Sequence, residues 1–98
     1  MAVKVLIKRI APNDTAKAMI PFFREMREVA LNQPGYISGE TLNNIDNPEE
    51  SLVISTWESA EDWQNWLHNP KRIEIQSKID ILLGGTTEYK IFHSGFGE

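Results

Sequence analysis

The chain has 98 residues, room for one domain spanning 1–98 and not for two. Its 41% apolar and 24% charged residues are the composition of a folded globular domain, which excludes a disordered chain. A formal charge of -4 with no Lys/Arg cluster argues against nucleic acid, no apolar run approaches a membrane span of ~20 residues, and the absence of cysteine removes disulfides, thiol nucleophiles and thiolate metal sites.

Val3 to Ile10 alternates, with Val3, Val5 and Ile7 on one face and Lys4, Leu6 and Lys8 on the other, which predicts a strand. Lys4, Lys8 and Arg9 interrupt the apolar stretch that a secretory leader needs, so a cytoplasmic location is expected. Asn13 or Asp14 can cap a helix over Thr15–Leu31, with an apolar stripe of Ala18, Phe22, Met26 and Val29. Pro21 removes a backbone donor within it and predicts a kink or restart. Gln33-Pro34-Gly35 ends the helix, and Tyr36 to Leu42 reads as a second strand.

Asn43 to Glu50 is a loop, and Ser51 to Trp57 is the strongest strand of the chain, paired antiparallel with the second. Ser59 followed by Asp62 starts a short helix carrying Trp63, Trp66 and Leu67 on one side. Asn69-Pro70 starts the next, with Ile75, Ile79, Leu82 and Leu83 as its buried stripe and Gly84-Gly85 as its stop. Thr86 to His93 is the last strand and Gly95 to Glu98 a tail. The order β-α-β-β-α-β specifies an α+β domain of the ferredoxin-like type, a four-stranded antiparallel sheet with helices on one face. The helix-free face carries apolar side chains, Leu6 and Ile91 or their strand neighbours, and a homodimer burying roughly 2,000 Å2 or more would cover it.

Few residues carry chemistry. His68 and His93 lie in different elements with no ligand spacing around either, and the paired acids Glu49-Glu50 and Glu61-Asp62 read as solvated faces, so no metal site is expected. The aromatic cluster stands out: Trp57, Trp63 and Trp66 fall within ten residues, with Phe22, Phe23 and Met26 on the helix that should pack nearby. Such a cluster is either plain core or the wall of a flat apolar pocket for an aromatic ligand.

Gln33-Pro34-Gly35-Tyr36-Ile37-Ser38-Gly39-Glu40-Thr41-Leu42, Val53-Ile54-Ser55-Thr56-Trp57-Glu58-Ser59 and the Trp63–Trp66–Leu67 helix with its following Pro70 together resemble the antibiotic biosynthesis monooxygenase domain over nearly the whole chain. The resemblance implies a dimeric α/β barrel and, as in several members, oxidation of polycyclic phenols or quinols without metal, flavin or any other cofactor. There the substrate anion supplies the electrons to oxygen while the protein supplies shape and a proton acceptor. A haem-degrading branch of the family uses an Asn on the first strand and a His ligand. Here Ile7 and Gln76 stand in those places, which disfavours haem. Trp66 matches the family's pocket tryptophan, and Asp62 stands one turn before it, where quinol-type members can carry Asn.

The expectation is therefore a cofactor-independent monooxygenase for a small aromatic phenol or quinol. Trp66 stacks on the substrate, Asp62 or a water takes the proton, and Phe22, Phe23, Met26 and Trp63 wall the pocket. The alternative is a non-catalytic small-ligand-binding or stress-associated protein on the same fold.

Overall fold

A computed structural model describes residues 1–84 and 87–95. The elements run β1 (Val3–Ile10), α1 (Asn13–Ala30), β2 (Tyr36–Asn43), β3 (Glu50–Trp57), α2 (Ala60–Leu67), α3 (Pro70–Leu83) and β4 (Glu88–His93). The four strands form one antiparallel sheet in the order β2-β3-β1-β4. Crossing from β1 through α1 to β2, and from β3 through the helices to β4, sets the split ferredoxin-like arrangement expected from the element order. Gly85 of the helix stop, Thr86 of the last strand and positions 96–98 of the tail lie outside the described residues.

The alternation of β1 decides the sheet's two faces. Val3, Val5, Ile7 and Arg9 point toward the helices and pair with Trp57, Ser55, Val53 and Ser51 of β3. The outer face carries Leu6 opposite Ile54, and Leu52 opposite Leu42, with Phe92 beside Lys4. Ile91 is not on that outer face: it pairs with the fully buried Val5, and Tyr89, two residues before it, packs at a tilt against Trp63 under the helices. Its exposure comes from its edge strand.

Helix α1 is one helix through Pro21, so of the kink or restart expected from the sequence there is no restart. Its buried stripe runs through Met19 and Ala30, with Phe22, Phe23, Met26 and Val29 half-buried, while Ala18 faces solvent. Neither Asn13 nor Asp14 caps the helix. Pro12 occupies the cap position, its carbonyl accepts from the Thr15 and Ala16 amides, and Glu49 Oε2 accepts the Asn13 amide at 3.3 Å. The α2 cap is as the sequence indicated: Ser59 Oγ accepts from the Asp62 amide at 3.1 Å. Asn69 caps α3 at Lys71 and Arg72, and Gly84 closes it in the left-handed conformation.

Two clusters make the core. Val3, Val5, Ala30, Trp57, Trp63 and Trp66 form one between sheet and α2, and Ala11, Met19, Ile75, Ile79 and Leu83 form the other between α1 and α3. Met26 and Val29 pack against both. Between α1 and β2, Gly35 sits at φ +83°, and a Cβ there would collide with the Asp62 side chain. Gly35→Ala should therefore cost about 1–3 kcal/mol in urea unfolding, through left-handed strain and the displaced α2 cap. An unchanged midpoint would show that the turn does not depend on glycine.

Candidate functional site

A cavity of about 400 Å3 opens between α1 and the helix-facing side of β1, β2 and β3. Strand register orders its floor into rows two residues apart, and a bulge in β2 completes them. Tyr36 pairs with Trp57, but Ser38 rather than Ile37 pairs with Thr56, so the parity of β2 switches after Tyr36. As a result Tyr36, Gly39, Thr41 and Asn43 all face the cavity, and Ile37 is turned out to solvent. Gly39 leaves room for the Tyr36 hydroxyl: a Cβ there would displace it.

The first row is aromatic. Tyr36 meets Trp57 edge-on at 5.3 Å, and Trp66 from α2 stacks on Trp57 at 6.3 Å with 25° between the planes. The indole N–H of Trp57 donates to Ser55 Oγ at 3.1 Å, which fixes the ring. Trp66 is 4% exposed and still contributes to the cavity wall. The last row is polar. Asn43, Ser51 and Arg9 stand side by side, about 20 Å of β3 backbone from Trp57. The loop before β3 closes over this end with Pro48 and Glu49. Phe23, Met26 and Met19 of α1 roof the space between the two ends.

The structure brings Trp66, Phe23 and Met26 together on the cavity wall and places Phe22, Trp63 and Asp62 off it. Phe22 packs on the α3 cluster with the Lys78 ammonium 5.9 Å from its ring centroid. Trp63, 1% exposed, is enclosed by Trp57, Tyr89 and Arg72. Asp62 accepts the Ser59 hydroxyl at 2.9 Å beside Gly35, in the helix cap.

Arg9 is the site residue that the sequence reading treated only as an interruption of an apolar stretch. It lies on the Val3–Val5–Ile7 parity, so a charge on the buried face was the available signal. The side chain is 6% exposed. Its Nη2 donates to Gln76 Oε1 at 3.0 Å, and Gln76 Nε2 donates in turn to Asp80 at 2.8 Å and Thr87 at 3.2 Å. The guanidinium lies 5.1 Å from the Phe23 ring centroid. Burial pushes its pKa below the usual arginine value, opposed by Tyr89 and Asp80 and reinforced by the nearby Arg72, yet an arginine remains protonated at any ordinary pH.

Among the described residues, no cluster of three His, Asp or Glu side chains is arranged to hold a metal ion, and no helix is long and apolar enough to cross a membrane. Residues 2–78 match the model of the family described as antibiotic biosynthesis monooxygenase. Protein SchA of Streptomyces halstedii is 24% identical over 84 residues, covering 86% of this chain; the chain spans only 22% of the length of that curated relative. Among solved structures, a conserved protein from Methanosarcina mazei superposes with a TM-score of 0.89 at 18% identity, covering 97% of this chain and 94% of that one. SnoaB, a cofactor-independent oxygenase from Streptomyces nogalater, superposes with a TM-score of 0.84 at 17% identity, again covering 97% and 94%. The fold is shared with both, and the match across 2–78 shows that the chain belongs to the antibiotic biosynthesis monooxygenase family.

Proposed function

We propose that the protein is a cofactor-independent monooxygenase acting on a small aromatic phenol or quinol. The observation that carries this is the cavity of about 400 Å3 beside Trp66, walled by aromatic and apolar side chains and ending in a polar row, in a member of this family. A phenol oxidised to a quinone balances without a further reductant. One oxygen atom of O2 becomes the new ring carbonyl, and the other leaves as water with the phenol proton and the displaced ring hydrogen. The substrate supplies all the electrons, most readily as its phenolate.

The protein's share is placement and proton management. Trp66, Trp57 and Tyr36 offer ring faces and edges to a flat substrate, and Phe23 and Met26 exclude water above it. Glu49 is the one carboxylate among the cavity's lining residues and is the acceptor available for the proton. One observation favours a non-catalytic ligand-binding role on the same fold: Asp62, the acid one turn from Trp66, is engaged in the α2 cap rather than facing the cavity.

The proposed working form is a homodimer. Leu6, Ile54, Leu52, Leu42 and Phe92 make the outer sheet face apolar, and a second copy is the simplest cover for it. Sedimentation at micromolar concentration should give a species of twice the chain mass, and a clean monomer would rule the dimer out.

Oxygen uptake with a panel of naphthols and quinols tests the chemistry. The wild type should exceed the uncatalysed rate with at least one of them, and Trp66→Phe should keep the fold while losing about 2- to 10-fold in kcat/KM through the weaker ring face. No uptake with any substrate would leave the binding role in its place. A Trp66→Phe protein with a lower melting temperature and full activity would make Trp66 a core residue only.

A further inference from the structure

The chain is acidic overall, but its cavity is not. Arg9, Lys17 and Arg27 line it against the single acidic side chain of Glu49. Glu49 already accepts the Asn13 amide at the N-terminus of α1, where the helix dipole offsets its charge. Arg27 is partly committed through Thr41 Oγ1 at 3.0 Å, and both Arg27 and Lys17 are exposed to solvent.

Arg9 is different. It is buried, it forms no ion pair, and its Nε–H is the one buried side-chain donor without a hydrogen-bond partner among the described residues. The carbonyl of Gln76 partners Nη2 but brings no negative charge. A guanidinium with an unused donor is costly to bury, and among the described residues its charge is offset only from behind, by Asp80 acting across Gln76, so its retention on a cavity wall leaves a place for a closer counter-charge. The polar neighbours in its row, Asn43 and Ser51, are short and uncharged and leave the space in front of it open to a ligand.

We propose that Arg9 is an anion-binding residue and that the cavity takes an elongated aromatic ligand carrying an oxyanion, a phenolate or a carboxylate, at the end remote from Trp66. The aromatic body then lies against Tyr36, Trp57 and Trp66, and the oxyanion pairs with the Arg9 guanidinium, whose enclosed Nε–H it reaches only after a small shift of the side chain. Phe23 and the Gln76–Asp80 chain hold the guanidinium so that little ordering is needed on binding. This rests on the cavity being the ligand site proposed above, and it does not require that any oxidation occurs.

Anaerobic titrations read by tryptophan fluorescence test it with three probes: 2-naphthoate, the neutral 2-naphthamide and the cationic 2-naphthylmethylammonium. The naphthoate should bind about tenfold or more tightly than the amide, as a charge-assisted hydrogen bond implies, and the ammonium most weakly. Arg9→Gln should abolish the preference for the acid, and Arg9→Lys should keep part of it, since the charge stays while the fork is lost. A bound 2-naphthol that takes on naphtholate absorption at neutral pH assigns the phenolate, and tight naphthoate binding alone assigns the carboxylate. If circular dichroism shows that the Arg9 variants do not fold, the wild-type ratio of acid to amide and its decline with salt decide the question. Equal binding of acid and amide overturns the proposal, as does an acid preference that survives in folded Arg9→Gln, or failure of every naphthalene to bind. Absent oxygen uptake alongside a clear acid preference would sink the monooxygenase and leave the anion site standing.

Discussion

Phe23 rests on the Arg9 guanidinium, and Arg9 is held in place by Gln76, so the middle of α1 is carried partly by a charged group instead of a layer of branched apolar side chains. At the other end, Trp66 stacked on Trp57 fills the space under the C-terminal turn of α1. Between these two supports the helix stands over β2 and β3 without a filling residue, and that gap is the cavity. The rest of the packing is arranged to tolerate it. Met19 and Phe22 anchor α1 on Ile75, Ile79 and Leu83 of α3, so the helix does not need the sheet beneath its whole length.

This arrangement explains why a thin domain can keep an opening of this size. A close-packed interior of about 100 residues normally tolerates few voids, because each costs dispersion and transfer energy. Here the apolar burial is concentrated beside the cavity, in the Trp57–Trp63–Trp66 group and in the α1–α3 cluster. Trp63 serves that purpose entirely: its faces meet Trp57, Tyr89 and Arg72, and Arg72 also reaches the Tyr89 hydroxyl. The three tryptophans so close in sequence thus divide their work, with Trp63 in the core, Trp66 at the boundary and Trp57 between them.

Most of the fold was legible in the sequence, because period-two strands and Ser59, Asn69-Pro70 and Gly84 punctuate it by local rules. What was not legible depended on partners distant in sequence. The α1 stripe includes Met19 instead of Ala18 because α3 supplies the contact surface. Pro12 takes the cap position of α1 and the Asn13 amide is satisfied by Glu49, 36 residues away, so Asn13 and Asp14 gave a local signal that tertiary structure replaced. The β2 bulge has no residue signature beyond Gly39, and one shifted residue decides whether Tyr36 and Thr41 share a face. At the site, Trp66 could be read from the family resemblance and Phe23 and Met26 from the aromatic cluster, whereas Asp62 satisfied a capping pattern and a base pattern at once, and the cap is the role its contacts show. Arg9 could be placed on the buried face by parity, but its unpartnered Nε–H emerges only once the three-dimensional neighbours are known.

The space between the Trp57–Trp66 stack and Arg9 is the proposed ligand site. The most direct measurement is a heteronuclear NMR titration that follows the three indole N–H signals and the Arg9 Nε–H signal as 6-hydroxy-2-naphthoate is added. The Trp57, Trp66 and Arg9 signals should move together and saturate at one ligand per chain, while the Trp63 signal, enclosed in the core, stays nearly still. Movement of Trp63 with Arg9 unaffected, or no saturable change in any of the four, would contradict it.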